Sequence, residues 1–280
     1  MLAIALALGA SLAWGASDFL GGLKSRSVPL LSVLLISQTT ALALLTAMVV
    51  IRGGSLPDTS SLVQGAVAGL GETAGVAALY RGLAVGRMSI VAPVAATAPV
   101  IPLLAGLATG QIPGPLQFTG LALALLGLVV TARRPSGGKA NGTRTLPSVL
   151  YGLLAAIGFG TFFLTMHNAS QSDVGWALLT ARLTAVTVIA SIIVLKRHHV
   201  TAPKADLPTI AAIGALIIAA DSLYATASTL SLASIAAVLG SLHTIITIAL
   251  ARIFLNEQLQ RPQLIGIATS LIGVLALSAG

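Results

Sequence analysis

Two acids and one arginine lie well inside long apolar stretches of this 280-residue sequence: Glu72, Asp221 and Arg182. A charge at the centre of a bilayer costs roughly 2.5–3.5 kcal/mol even on a lenient scale, so each is a candidate for a functional site. Arg182 cannot be neutralised by losing a proton, so it must snorkel to the membrane surface, pair with a carboxylate or face water. We expect Glu72 or Asp221 to be its partner, while contact with a substrate carboxylate and a purely structural ion pair are the alternatives.

Glu72 lies on a small, polar side of its predicted helix. Gln64, Ala68 and Glu72 are spaced four residues apart, with three glycines nearby. Such a face cannot point at lipid, so it lines a cavity or a close helix contact. A carboxylate in a cavity of low dielectric constant can load and release protons near neutral pH. We therefore predict Glu72 as the proton-coupling or cation-binding group and Asp221 as the second choice; a neutral, hydrogen-bonded carboxyl is the alternative.

His243 and three aromatic residues complete the predicted cavity. His243 follows Gly240 by three positions in an apolar segment, and it is a candidate proton carrier or, alternatively, a hydrogen-bonded core histidine. Trp14, Tyr80 and Tyr224 are expected to line or cap the same space. Because such aromatics also anchor helices at the membrane interface, interfacial anchoring is the competing interpretation for the two tyrosines.

The fourth apolar segment contains Pro93, Pro99 and Pro102, with Thr97 between them. Each proline lacks an N–H donor and leaves a backbone carbonyl without its helical partner. In lipid, such carbonyls need other donors or cavity water. We therefore predict a kink that forms a gate or a binding cleft, with Thr97 beside it; prolines that merely bend the helix are the alternative.

The composition indicates the solvent in which these residues operate. Hydrophobic residues make up 56% of the chain and charged residues 8%, whereas a typical soluble domain is about 25% charged. The mean hydropathy is +1.00, and a transmembrane barrel would show short alternating segments instead. The basic residues behind the net charge of +8 lie singly or in pairs between apolar segments and form no cluster, which argues against a nucleic-acid partner. With no cysteine, disulfides and thiolate metal sites are excluded, and we predict neither a metal nor a cofactor.

Ten apolar segments approach the roughly 20 residues that a helix needs to cross a bilayer. We predict an all-α integral membrane protein with spans at 2–20, 28–51, 61–82, 88–110, 115–132, 147–168, 174–195, 208–230, 232–254 and 262–279. The polar stretch 133–146 then reads as a flexible linker between two five-helix halves, 1–132 and 147–280.

The two halves resemble each other at a near-constant offset of about 145 positions. The matching pairs are Trp14-Gly15 with Phe159-Gly160, Leu79-Tyr80 with Leu223-Tyr224, and Gly120 and Gly127 with Gly266 and Gly273. Five spans per half require the second half to be inverted, an architecture common among secondary transporters with a site near the midplane. In this alignment Glu72 and Asp221 are not equivalent, so we expect them at different depths. The paired glycines predict packing seams on the fifth and tenth spans.

The basic residues predict the orientation. Of the 15 Lys and Arg residues, all except Arg52 and Arg182 lie in or beside loops that follow odd-numbered spans. The positive-inside rule places those loops in the cytoplasm and both termini outside, in a plasma or inner membrane that the chain crosses many times.

Several motifs in the sequence are similar to those of a known family. Trp14-Gly15 in the first span, segment 78–86 (ALYRGLAVG) followed by 91–93 (VAP), and Asn256-Glu257 before a glycine-containing last span resemble the EamA-type transporters of the drug/metabolite transporter superfamily. The resemblance covers nearly the whole chain. It implies a ten-helix basket whose cavity is lined mainly by helices other than the fifth and tenth, and movement of small metabolites, often amino acids or related solutes.

Three features depart from the family pattern. Gln111 stands where the family usually has Gly-Glu, and Gln38 stands where the second half keeps Arg182. The family is usually drawn with cytoplasmic termini, opposite to the orientation that the basic residues of this chain predict.

We therefore predict a secondary transporter, not driven by ATP, that moves a small metabolite by alternating access, with proton coupling. Its expected partners are that solute, protons and lipid. No phosphate-binding loop follows a strand, so a built-in ATPase is not expected. An intramembrane enzyme is the rival class, but Ser241 and His243 project about 200° apart on a helix, and no His-Glu-x-x-His pattern exists. A channel or lipid translocator stays open, although no repeated filter motif is visible.

Overall fold

The computed structural model describes residues 2–53, 55–98, 100–101, 114–132, 145–230, 240, 242–255 and 261–279. Over this range the chain is helical and contains no β-strand. We number the described α-helices in chain order: α1 Leu2–Lys24, α2 Leu30–Arg52, α3 Thr59–Val85, α4 Met88–Ala95, α5 Pro115–Ala132, α6 Thr145–Ser170, α7 Val174–Leu195, α8 Leu207–Leu230, α9 His243–Leu255 and α10 Arg261–Ala279. A 3-10 turn, Lys204–Asp206, precedes α8.

Six of the described helices, α1, α2, α3, α6, α7 and α8, are long and apolar enough to cross a membrane, and shorter apolar helices lie at His243–Leu255 and Leu264–Gly273. Their outer surface is apolar: Ile51 is 86% exposed and Leu195 is 82% exposed. Side chains of this kind are stable in contact with lipid and unfavourable in water. The all-α, multi-pass membrane class is thus confirmed, while the count of ten spans stays a prediction.

The fourth predicted span differs most from the sequence prediction of one helix over 88–110. The α-helix α4 ends at Ala95, after which Thr97 N donates to Val94 O and Ala98 N donates to Ala95 O. These three-residue hydrogen bonds tighten the chain just before Pro99, which has no N–H and disfavours helical geometry in the residue that precedes it. Residues 102–113 lie outside the described part, as does most of 231–241, which belongs to the predicted ninth span.

Close backbone contacts join the halves. A Cβ added to Gly158 would lie 2.5 Å from Gly71 O, so α3 and α6 meet backbone to backbone. A Cβ on Gly127 would lie 2.6 Å from Gly266 O and 2.4 Å from Ser270 N. Helices α5 and α10 therefore pack on each other through the predicted glycine seam, and they make few contacts with the other helices.

Each main contact between helices has an equivalent contact between the corresponding helices of the other half. The contact of α1 with α8 corresponds to that of α6 with α3, α1 with α9 corresponds to α6 with α4, and α2 with α8 corresponds to α7 with α3. Individual residues follow the same rule. Gly15 packs against Ile246 and Gly160 packs against Ile101, two contacts related by a shift of about 145 positions in both partners.

Ion pairs group the loops into two sets. Lys24 Nζ lies 2.6 Å from Asp206 Oδ1, which links the loops after α1 and α7. Arg52 Nη2 lies 2.7 Å from Asp173 Oδ1, which links the loops after α2 and α6. Because α2 runs from Lys24 toward Arg52, the two pairs lie at opposite ends of the bundle.

The loop set after α2 and α6 is reinforced by Asp58. Its carboxylate accepts hydrogen bonds from Ser61 Oγ at 2.7 Å, from Ser61 N at 3.1 Å and from Ser172 Oγ at 3.2 Å. Hydrogen bonding from Ser61 lowers the pKa of Asp58 below its ordinary value. Asp58 therefore stays ionised as the N-cap of α3 and ties that end of α3 to the second half.

Candidate functional site

A buried guanidinium forms the centre of the candidate site. Arg182 on α7 is 0% exposed. Its Nη1 donates to Gln38 Oε1 of α2 at 2.6 Å, and its Nη2 donates to the carboxylates of Glu72 on α3 and Asp221 on α8. The expected pairing of Arg182 with a membrane carboxylate is found, and it involves both candidates. The prediction that the two acids lie at different depths is wrong, because both contact the same nitrogen.

A cavity lies beside this cluster. It is lined by Trp14, Ser17, Asp18, Glu72, Val76, Phe159, Phe162, Phe163, Ile217, Asp221 and His243. These residues come from α1, α3, α6, α8 and α9, hence from both halves. Arg182 does not line the cavity and contacts it only through Glu72 and Asp221.

Trp14 fixes the orientation of Asp221. Its indole Nε1 donates to Asp221 Oδ1 at 2.8 Å, while Asp221 Oδ2 accepts from Arg182. The ring of Trp14 lies 5.3 Å from that of Tyr224 between ring centres. A Cβ on Gly240 would lie 3.1 Å from the Trp14 ring. The absence of a side chain at Gly240 therefore makes space for the indole. Both carboxylate oxygens of Asp221 are thereby held by charged or N–H donors.

Asp18 is a cavity residue that the predicted site omitted. Its side chain lines the cavity and is 7% exposed overall, and Asp18 Oδ2 lies 3.7 Å from His243 Nε2. The first span was predicted to end at residue 20, which placed Asp18 near the membrane surface, whereas α1 continues to Lys24. The available signal was its spacing of four residues from Trp14, which puts both on one helix face.

The two tyrosines are buried beside the cavity rather than at an interface. Tyr80 is 0% exposed and Tyr224 is 2% exposed. The Tyr80 hydroxyl donates to Ser17 O at 3.3 Å, and the Tyr224 ring contacts Trp14, Phe162 and Phe163. Both tyrosines support cavity-lining residues without lining the cavity themselves.

Pro93 and Thr97 are the members of the proline segment that the structure describes. Thr97 is buried and its Oγ1 donates to Val94 O at 2.7 Å, and Pro93 lies inside α4, which packs mainly against α6. Neither residue lines the cavity. Pro99 and Pro102 lie outside the described residues, so the gate that these prolines predict stays a prediction.

The charges in and behind the cavity do not balance. Asp18, Glu72 and Asp221 are three carboxyl groups, Arg182 supplies one fixed positive charge, and His243 supplies at most one more. Leaving a buried charge without a partner costs several kcal/mol. The described residues include no group of three His, Cys, Asp or Glu side chains placed to hold a metal ion. Because the acids outnumber the positive charges, the arrangement suits a site that takes up protons or an organic cation.

Comparisons with known proteins agree with this architecture. The family described as "EamA-like transporter family" matches residues 1–133 and 146–279. An uncharacterized protein of Methanocaldococcus jannaschii is 32% identical over 136 residues, which make up 47% of this chain and 96% of that relative. A protein crystal structure superimposes with a TM-score of 0.67 at 17% identity, covering 98% of this chain and 95% of the other. At that identity the likeness shows the fold alone.

Proposed function

Because this chain belongs to the EamA-like transporter family, we propose that it is a secondary transporter that moves a small metabolite across the cell membrane. Transport proceeds by alternating access to the cavity beside Arg182. The observation that carries the proposal is the meeting of α2, α3, α7 and α8, two helices from each half, at one buried guanidinium. A relative motion of the halves must rearrange this cluster, so its charge state can control the motion.

An inverted repeat supports alternating access. In the repeat, the loop after α1 is equivalent to the loop after α6, yet the pairs Lys24–Asp206 and Arg52–Asp173 place these loops at opposite ends of the bundle. Gln38 and Arg182 hold equivalent positions and hydrogen bond to each other, as expected for residues beside a pseudo-two-fold axis. A site on such an axis is reached in equivalent ways from the two membrane faces.

Glu72 is the proposed proton carrier. With Glu72 and Asp221 both ionised, Arg182 balances only one of their two charges. A proton on Glu72 restores neutrality and leaves Arg182 paired with Asp221, which Trp14 already orients. Since Glu72 belongs to α3 and Arg182 to α7, protonation weakens a contact between the two halves. Proton binding thus favours a change in how the halves pack.

Proteoliposomes that contain only this chain test the proposal. A thermal-shift screen of amino acids, sugars and amines identifies a solute, and its uptake is then followed under an imposed pH gradient. We expect gradient-driven uptake by the native chain and by Asp206→Asn, a loop control. Glu72→Gln should lose the pH drive while exchange of bound solute survives.

Two outcomes would contradict this account at different levels. If both Glu72→Gln and Asp221→Asn keep the native pH profile, proton coupling through these carboxylates is wrong, and the chain is a facilitator. If no solute moves in vesicles that contain folded protein, the transporter proposal itself fails.

A further inference from the structure

The cavity wall formed by Asp18 and His243 takes no part in the Arg182 cluster. We infer that this wall binds the ammonium group of a small organic monocation, whose apolar ring packs against the aromatic side chains of the cavity. The inference rests on the proposed transport function and names the class of its substrate.

The position of Arg182 argues against a solute that carries a carboxylate. Its Nη atoms already donate to Gln38, Glu72 and Asp221, and the guanidinium does not line the cavity. A solute carboxylate would meet Glu72 and Asp221 before reaching Arg182. Because like charges repel strongly where water is scarce, an anion is rejected, and a zwitterion is disfavoured through its carboxylate.

Asp18 is the polar group that points to a cation. The residue is 7% exposed, and its side chain faces the cavity. In the described part of the chain, no group donates a hydrogen bond to its carboxylate, and His243 Nε2 is 3.7 Å away. A buried carboxylate without a donor is costly. An ammonium group from the cavity would supply both a donor and the missing positive charge.

The tautomer of His243 determines whether it can donate a hydrogen bond to Asp18. His243 Nδ1 lies 2.9 Å from Gly240 O, and a carbonyl only accepts, so Nδ1 carries a hydrogen. A neutral His243 then presents the lone pair of Nε2 to Asp18 and donates nothing. Without a bound cation, Asp18 and His243 share one proton. A bound ammonium group displaces this proton.

The remaining ionisable groups around Asp18 reinforce this preference for a cation. Glu72 and Asp221 line the same cavity, Arg182 lies behind both, and the Tyr80 hydroxyl is bonded to the backbone of Ser17. None of them offers Asp18 a hydrogen bond. The nearby carboxylates add negative potential to the cavity, which attracts a positive solute.

The other walls of the cavity define the rest of the ligand. Trp14, Phe159, Phe162 and Phe163 contribute aromatic surface, and Val76 and Ile217 contribute aliphatic surface. Aromatic faces attract cations and pack well against an apolar ring. The fitting solute is therefore an amine that bears one such ring and no carboxylate.

Three compounds with the same phenyl ring test this inference: phenethylamine, phenylalanine and 3-phenylpropanoate, which are a cation, a zwitterion and an anion. Binding to the full chain in detergent is measured by quenching of Trp14 in a Trp176→Phe background, which leaves one tryptophan of two. We expect phenethylamine to bind at least about tenfold more tightly than 3-phenylpropanoate, the minimum effect of one charge-assisted hydrogen bond. We also expect it to bind more tightly than phenylalanine, whose carboxylate is repelled by Glu72 and Asp221. Lowering the pH should weaken its binding, because protons compete for Asp18.

Variants locate the effect at Asp18. Asp18→Asn should weaken phenethylamine binding about 10- to 100-fold, the loss of one charge-assisted hydrogen bond. Asp18→Glu should retain most of the affinity, and Asp206→Asn, which alters a loop carboxylate, should leave it unchanged. His243→Gln should keep amine binding but reduce its pH dependence, which provides a second test if Asp18→Asn fails to fold.

The inference is overturned if phenylalanine or 3-phenylpropanoate binds as tightly as phenethylamine. It is also overturned if phenethylamine does not bind, or binds equally well to Asp18→Asn. Proton-driven transport of another solute without phenethylamine binding would refute the substrate class and leave the transport function standing. Phenethylamine binding at Asp18, in a chain that carries no solute across vesicles, would support the site and refute the transport function.

Discussion

Removal of the Arg182 guanidinium should be among the most destabilising single changes in this chain. In Arg182→Met, a side chain without charge replaces a cation whose own side chain is 1% exposed, while its partners Glu72 and Asp221 are 6% and 1% exposed. Removing one partner of a buried ion pair costs about 3–5 kcal/mol. Because two carboxylates and Gln38 each lose the hydrogen bond from Arg182, we expect the upper part of this range.

The cost is measurable as a free energy of unfolding in mixed detergent micelles at neutral pH, followed by circular dichroism. Arg52→Met is the matched control, since Arg52 pairs with Asp173 at side-chain exposures of 44% and 27%, and exposed pairs contribute roughly 0–1 kcal/mol. The triple variant Arg182→Met, Glu72→Gln, Asp221→Asn removes the uncompensated charges and should regain most of the loss. An Arg182→Met cost no larger than that of Arg52→Met would refute the buried cluster.

Two further predictions concern orientation and helix packing. Because the chain has no cysteine, Lys139→Cys and Gly280→Cys can each be tested with an impermeant thiol reagent in intact cells. We expect the reagent to label position 280 and not position 139. The reverse result would overturn the predicted orientation. Gly158→Val should disrupt the contact of α3 with α6, because a Cβ there already lies 2.5 Å from the backbone of Gly71, and overpacking costs typically about 1–3 kcal/mol. Its yield of monodisperse protein should fall below that of Gly114→Ala, where nothing lies within 4 Å of the added Cβ; equal yields would contradict the close contact.

The helix boundaries were predictable where the length of the apolar segment alone determines them. The predicted spans 115–132 and 174–195 coincide with α5 and α7. The first span was predicted to end at residue 20, before Gly21, Gly22 and Lys24. Helix α1 nevertheless continues, since a Cβ on Gly21 would lie 2.0 Å from the Tyr80 ring and one on Gly22 would lie 2.5 Å from Leu83 Cβ. Tertiary packing there outweighs the low helix propensity of glycine.

The members of the site were predictable, but their partners were not. The cost of a charge in hydrocarbon singled out Arg182, Glu72 and Asp221 from one sequence. The spacing of residues along one helix gives no information on their distance from another helix. The contact of both acids with Arg182 Nη2 could therefore not be derived from the sequence. Gln38 was noted only as a departure from a family pattern, and its hydrogen bond to Arg182 became evident once α2 and α7 were placed side by side.

Accessibility of the cavity from the two sides of the membrane tests the central claim most directly. Val76 lines the cavity and is 5% exposed, and Val76→Cys introduces one thiol of similar size into a chain without cysteine. An impermeant thiol reagent is applied to intact cells and to inverted vesicles, with and without a pH gradient. Alternating access predicts that the thiol reacts with reagent from both sides of the membrane. A condition that raises the reaction rate from one side should lower the rate from the other side. A thiol that reacts equally from both sides under all conditions would indicate a channel and contradict the account, as would one that never reacts from one of the sides.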